Sequence, residues 1–191
     1  LLTAAVIGKS AQVPLHTWRP DAMAGPTPIS ALIHAATMVA AGVFLVARTF
    51  PLYLSAPVAL TTLGLVAALT MLISALYALF THDLKRVLAW STVSQLAYMF
   101  AALAVGAYAA GVLHLLAHGA FKALLFLAAG AVVHAVGTTS MAGMGGLRDK
   151  LPDTFITMTI GFGALAGVGP LVGFFTKDAV IGATWDAARH G

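Results

Sequence analysis

The sequence predicts an all-α fold, a polytopic transmembrane helix bundle of about six membrane segments, two of them (around 9–14 and 167–177) discontinuous. Three observations predict it. Hydrophobic residues make up 60% of the 191 and charged residues 8%, against about 25% charged in soluble domains. Apolar runs recur at lengths near 20 residues, and about 20 residues at 1.5 Å of rise each cross the hydrocarbon core of a bilayer. Two runs hold a proline near a lysine, Lys9 before Pro14 and Pro170 before Lys177, and a proline removes an amide donor and forces a helix open.

Composition also excludes function classes. Cysteine is absent, which removes disulfides, thiolate catalysis, iron-sulfur clusters and Cys-based zinc sites together. No cofactor, no metal and no catalytic redox residue is expected in this chain. All six acidic residues are Asp, and the net charge of +4 reflects loop Lys and Arg rather than a face for nucleic acid. The chain begins at Leu1 inside an apolar run, without Met or a charged leader, and reads as part of something longer.

In order, residues 1–12 read as the end of a spanning helix that breaks before Pro14, freeing carbonyls near Lys9. Lys9 is then either a path residue beside the opening or an interfacial lysine at a helix end. Four prolines, Trp18, Arg19, Asp21 and Gly25 make 14–28 a loop near an interface. Thr27 and Pro28 form a cap and first-turn pair for a helix over 28–49 that contains His34. A third span covers 57–80. His82, Asp83, Lys85 and Arg86 open a fourth that runs to about 106, with Asp83 as its cap or as a partner for Lys85 or Lys122. Ser91, Thr92, Ser94 and Gln95 give this span a polar side, as interhelical glue or as part of a hydrated path.

The fifth span, over 107–136, carries His114, His118 and Lys122. Spacings of four put the three on one drifting face, with about 12 Å of rise between the first and the last. Lys122 lies near mid-span, too deep for its four-carbon stem to lift the ammonium to the interface. A lysine there costs about 2.5–3.5 kcal/mol on insertion scales. It therefore faces a bundle interior or hydrated cavity, as a step in an ion path or as a charge paired with an Asp. Residues 137–153 form a Gly-rich charged loop. The sixth segment, with Gly161, Gly163, Gly167, Gly169, Pro170 and Gly173 before Lys177 and Asp178, predicts two half-helices with a non-helical stretch between Gly167 and Lys177.

Two lysines beside broken helices, in segments separated by four others, point to corresponding elements of two repeats. The division is one antiporter-like domain over 1–191, with the end of a first repeat at about 1–50 and most of a second at about 56–191. Two short motifs fail on context. The glycines at 161, 163 and 167 have the wrong spacing for a dinucleotide loop and follow no strand, and His114 and His118 have the offset of zinc ligands but no Glu exists to complete a protease motif.

The runs GKSAQ (8–12), PLHTW (14–18), Pro20 to Met23, GPTPISALIHAATMV (25–39), Asp83 to Val87 with Ser91 to Gln95, and His114 to Leu127 cover most of the chain. Together they resemble the largest antiporter-like, proton-translocating membrane subunit of respiratory complex I (NADH:quinone oxidoreductase, chain L type). The resemblance implies that Lys9 matches the lysine of the first repeat's broken helix, that Lys122 links two half-channels and that Lys177 ends the second repeat's path. It implies connecting roles for His34, His114 and His118, a charged pair at Asp83 and Lys85, and Asp178 following Lys177. Arg19 stands where the family pattern implies an apolar residue. The implied function is proton conduction through this Lys/His path, coupled to electron transfer elsewhere. The chain's partners are then the lipid bilayer and other membrane subunits, some of which handle NADH and quinone. The alternative is the large subunit of a multisubunit sodium/proton antiporter, whose motifs are similar. The charged loops at 14–27, 81–86 and 137–153 are expected on one side, the cytoplasmic one by their lysines and arginines, in a bacterial inner or plasma membrane.

Overall fold

A stretch free of proline from 108 to 136 folds as one helix. The computed structural model describes residues 1–35 and 37–190. Its helices are α1 (Leu2–Lys9), α2 (Trp18–Asp21), α3 (Thr27–Ala35), α4 (Ala40–Arg48), α5 (Phe50–Leu54), α6 (Pro57–Phe80), α7 (Leu84–Ala104), α8 (Tyr108–Val136), α9 (Pro152–Ala166) and α10 (Val172–His190). Helices α3, α4, α7, α9 and α10 pack against α8 in a bundle. Three of these, α6, α7 and α8, are long and apolar enough to span a membrane, as is the α3–α4 pair taken together.

Helix α6 starts on Pro57, whose missing N–H is one a helix start leaves unpaired anyway. It buries Leu63, Ala67, Thr70 and Ser74, spaced four, three and four along one face against α7. Leu65, Leu69, Leu72, Leu76 and Leu79 are exposed on the other side, the face left for lipid. Helix α7 is central and buries residues on nearly every side. Towards its C-terminal end Leu96, Phe100 and Leu103 pack with Val43, Val46 and Leu63. Towards its N-terminal end Leu84 and Leu88 pack with Leu125, Phe126, Ala129 and Val132 of α8.

The helix expected over 28–49 is divided. Of its residues Ala36 lies outside those described, and beyond it the Thr37 N–H and hydroxyl both turn back to the Leu32 carbonyl, at 3.3 and 2.9 Å. That is a five-residue step, wider than an α-helical turn. The span holds, but its continuity does not.

The loop expected over 14–28 holds the short helix α2, with Leu15, Thr17, Asp21 and Ala24 exposed, and what the sequence does not show is how its entry and one side chain are buried. After α1 ends at Lys9, Ser10, Ala11 and Gln12 are buried, and the Val13 N–H donates to Thr70 Oγ1 at 3.0 Å, halfway along α6. Arg19 is fully buried. The physical reason is that backbone opened ahead of Pro14 must find partners inside the protein, so Ser10 to Val13 turn inward before the chain runs out along the loop. The sixth segment breaks where expected. Gly167 closes α9 with φ +84°, a left-handed geometry that glycine adopts at no steric cost, and α10 restarts at Val172. A side-chain carbon on Gly173 would overlap the Ala164 carbonyl, so only glycine lets the two half-helices approach this closely.

Three loops meet at one end of the bundle. Leu84 N–H donates to the Thr139 carbonyl and Met141 N–H to the His82 carbonyl, both at 2.9 Å. Lys85 Nζ donates to the Gly25 carbonyl at 3.2 Å. Lys85, Arg86, Arg148 and Lys150 belong to this end, whereas Arg19 is withdrawn from the count of surface charges by its burial. By the positive-inside rule this end is expected on the cytoplasmic side. A Lys150→Cys variant, in a full-length protein freed of other cysteines, should resist an impermeant thiol reagent on intact cells and react in inverted vesicles; ready labelling from outside reverses the orientation.

Candidate functional site

Helix α8 delivers three polar side chains into the bundle at intervals of four, and each meets a different environment. Lys122, His118 and His114 are all 0% exposed. Lys122 Nζ donates to Ser91 Oγ at 2.6 Å and to the Leu88 carbonyl at 3.2 Å. Ser91 in turn donates its hydroxyl proton to the same Leu88 carbonyl at 3.0 Å, so the ammonium, hydroxyl and carbonyl form one small network on α7. Both acceptors are neutral.

His114 bridges two helices. Its Nε2 lies 3.1 Å from Gln95 Oε1 on α7, and its Nδ1 lies 2.9 Å from Thr176 Oγ1 on α10. An amide oxygen only accepts, so Nε2 donates and Nδ1 receives the threonine hydroxyl proton. Between these two residues His118 has no hydrogen-bond partner at either ring nitrogen among the described residues, and its ring meets Phe121 edge-on at 5.4 Å. Lys177, half-buried on α10, reaches back across the break and donates to the Leu165 carbonyl at 2.5 Å. That carbonyl lies in the last turn of α9, where carbonyls lack intrahelical donors and the helix dipole favours a cation. Tyr98 Oη donates to the Lys177 backbone carbonyl at 2.9 Å, tying α10 to α7.

His34 enters from α3, buried, with its ring stacked on Phe126 at a centroid distance of 5.1 Å. Phe126 is one turn beyond Lys122 on the same face of α8. His34 Nδ1 receives hydrogen bonds from Arg19 Nε at 3.1 Å and Arg19 Nη2 at 2.6 Å.

The structure therefore brings Lys122, His114, His118 and His34 into one interior and sets Lys177 at its margin. Lys9 and Asp178 are exposed and are not drawn into it. The expected pairing of Asp83 with Lys85 or Lys122 is not made. Asp83 Oδ1 instead accepts the Arg86 N–H at 2.9 Å, capping α7, and Oδ2 accepts from Thr139. Lys85 goes to Gly25. A carboxylate at a helix start already has amide donors within reach, which outcompete a flexible ammonium. Ser91 and Gln95 are visible in the sequence as a polar side of α7, but their service to Lys122 and His114 is not. Thr176 and Arg19 were missed as partners of the two histidines; the signal available was position alone, Thr176 beside Lys177 and Arg19 inside a break. No third ligand joins His114 and His118 to hold a metal among the described residues.

The family described as "NADH:quinone oxidoreductase/Mrp antiporter, TM" matches residues 1–190. The chain belongs to this family. Among relatives of this transmembrane family, NADH-quinone oxidoreductase subunit L of Rickettsia bellii is 50% identical over 187 residues, 98% of this chain and 29% of the relative. The chloroplastic NAD(P)H-quinone oxidoreductase subunit 5 of Physcomitrium patens is 52% identical over 194 residues, 97% of this chain and 27% of the relative. A solved structure of the Mrp complex from Dietzia sp. DQ12-45-1b superposes with a TM-score of 0.93 at 38% identity, over 97% of this chain and 21% of that one. The chain thus spans less than a third of the length of these family members.

Ser91→Ala removes the nearest acceptor of a fully buried ammonium, a change that costs about 1–3 kcal/mol where no water replaces the lost partner. A lower midpoint of thermal unfolding is expected for the purified full-length protein, with Ser91→Thr, which keeps the hydroxyl, close to the unaltered protein; equal midpoints for Ser91→Ala and unaltered protein would show that Ser91 does not hold Lys122.

Proposed function

We propose that this chain is the proton-conducting part of a membrane subunit of an NADH:quinone oxidoreductase. The observation that carries the reading is Lys122, 0% exposed and held, among the described residues, by a serine hydroxyl and a backbone carbonyl. An ammonium bound by neutral acceptors is not locked into its charged form as an ion pair would lock it. Such a lysine takes up and releases a proton as its surroundings change, and His118 and His114, on the next two turns, extend the polar interior towards Lys177. The family and the subunit names of the 50–52% identical relatives support the assignment to the oxidoreductase.

In this reading Lys9, at the end of α1, belongs to the first repeat (about 1–50) and Lys122, Lys177, His114 and His118 to the second (about 56–191). His34 lies at their junction, while Asp83, Lys85 and Asp178 are supporting charges. NADH and quinone are handled by other subunits, and the membrane is an energy-coupling one, the inner or plasma membrane in a bacterium. Likeness to a solved Mrp complex favours a second reading, the large subunit of a multisubunit sodium/proton antiporter. The two differ in what drives proton movement, NADH oxidation or a sodium gradient.

The test is proton translocation by inverted membrane vesicles carrying the full-length protein in its assembly. Lys122→Ala should abolish most NADH-driven acidification while leaving assembly intact, and Lys122→Arg should be only partly tolerated because arginine keeps its proton. Unchanged acidification by Lys122→Ala removes the lysine from the path, and acidification that follows sodium without NADH oxidation selects the antiporter.

A further inference from the structure

Arg19 is a buried cation that the proposed path does not use. It is fully buried, its Nη1 has no partner among the described residues, and its Nε and Nη2 both point at a single atom, Nδ1 of His34, at 3.1 and 2.6 Å. A guanidinium offers donors and no acceptor, and it keeps its charge in proteins. An imidazole nitrogen facing two such donors must present its lone pair. Nδ1 therefore carries no proton, and the ring's single proton sits on Nε2, an atom that is buried and without a partner among the described residues.

From this geometry we infer that Arg19 is a positioning residue that fixes His34 as a neutral, Nε2-protonated imidazole. The second protonation that would make His34 a proton carrier requires an N–H on Nδ1. There it would point at two guanidinium N–H groups and set two cations in contact in an interior where Lys122 lies one turn from the stacking ring of Phe126. His34 consequently keeps a fixed N–H at Nε2 and stores no second proton. Arg19 itself supplies a permanent positive charge. Among the described residues the groups facing His34 are Arg19 from α2, and Phe126 with Lys122 and His118 behind it on α8, none of them acidic.

The tautomer follows from the donors alone, whereas its bearing on proton movement rests on the function proposed above. The test is nitrogen NMR of the full-length protein in its assembly, with labelled histidine and the His34 signals assigned by their loss in His34→Gln. The ring should show one neutral form, protonated at Nε2, throughout about pH 5–8, the range in which an ordinary imidazole changes charge. Arg19→Leu should release a measurable Nδ1-protonated population, and Arg19→Lys, which still offers an N–H donor, should restore the single form. Replacing a buried, incompletely paired charge by an apolar group is tolerated by many folds. If Arg19→Leu nevertheless fails to assemble, the unaltered protein decides alone. A protonated or Nδ1-protonated His34 in the unaltered protein, or identical signals with Arg19→Leu, overturns the inference. Neither outcome depends on proton translocation, so Lys122→Ala fails or succeeds separately.

Discussion

A cation inside a bilayer-spanning bundle needs acceptors, and Lys122 finds neutral ones. Removing an ion from water costs several kcal/mol even after the protein relaxes, and an isolated charge at membrane depth is tolerated only where polar groups surround it. Here the acceptors come from one turn of α7, the Ser91 hydroxyl and the Leu88 carbonyl. The need to present that turn explains why α7 sits at the centre. Its apolar residues pack to either side, with Leu96, Phe100 and Leu103 beyond the site and Leu84 and Leu88 before it, leaving a polar layer between two greasy ones.

The breaks in the chain obey the same demand from the opposite direction. A broken helix frees carbonyls and amides that lipid cannot satisfy, and each break is answered by a side chain from elsewhere. Thr70 of α6 accepts the Val13 N–H, and Lys177 of α10 donates to the Leu165 carbonyl. A lysine short of acceptors and a helix end short of donors thus satisfy each other, which accounts for Lys177 standing next to the second break. Glycine makes the second break possible, because any side chain at position 173 would collide with the Ala164 carbonyl.

Much of this was legible in the sequence. The apolar run lengths place α6, α7 and α8 to within a residue or two, the Pro170 and Gly167 pair locates the second break, and Asp83 is a cap on residue type alone. Long, one-sided signals of this kind depend on local chemistry and survive folding. The division between α3 and α4 was not legible, since residues 35–41 hold neither proline nor glycine and a lone threonine does not by itself open a helix. Nor was the inward turn of Arg19. An arginine among four prolines reads as a surface charge, and its partner His34 lies fifteen residues away in a different helix. The histidines could be named from their spacing on α8, but their partners on α7 and α10 are set by packing between helices, which periodicity does not encode.

His114 has one further consequence. Thr176 Oγ1 stands 2.9 Å from His114 Nδ1 and also 3.2 Å from the Val172 carbonyl of its own helix. Its hydroxyl proton therefore has two resting places. While the ring is neutral the proton points at Nδ1; when Nδ1 gains a proton of its own, the hydroxyl swings to Val172 and its oxygen becomes the acceptor. Charging this ring requires a rotor to turn, a motion of picoseconds to nanoseconds where the side chain is free to move, and no helix has to shift. His34 has no such rotor, only a guanidinium that cannot change its sign. Two histidines in one interior thereby differ in their surroundings: the hydrogen bond at Nδ1 of one can reverse, and that of the other cannot.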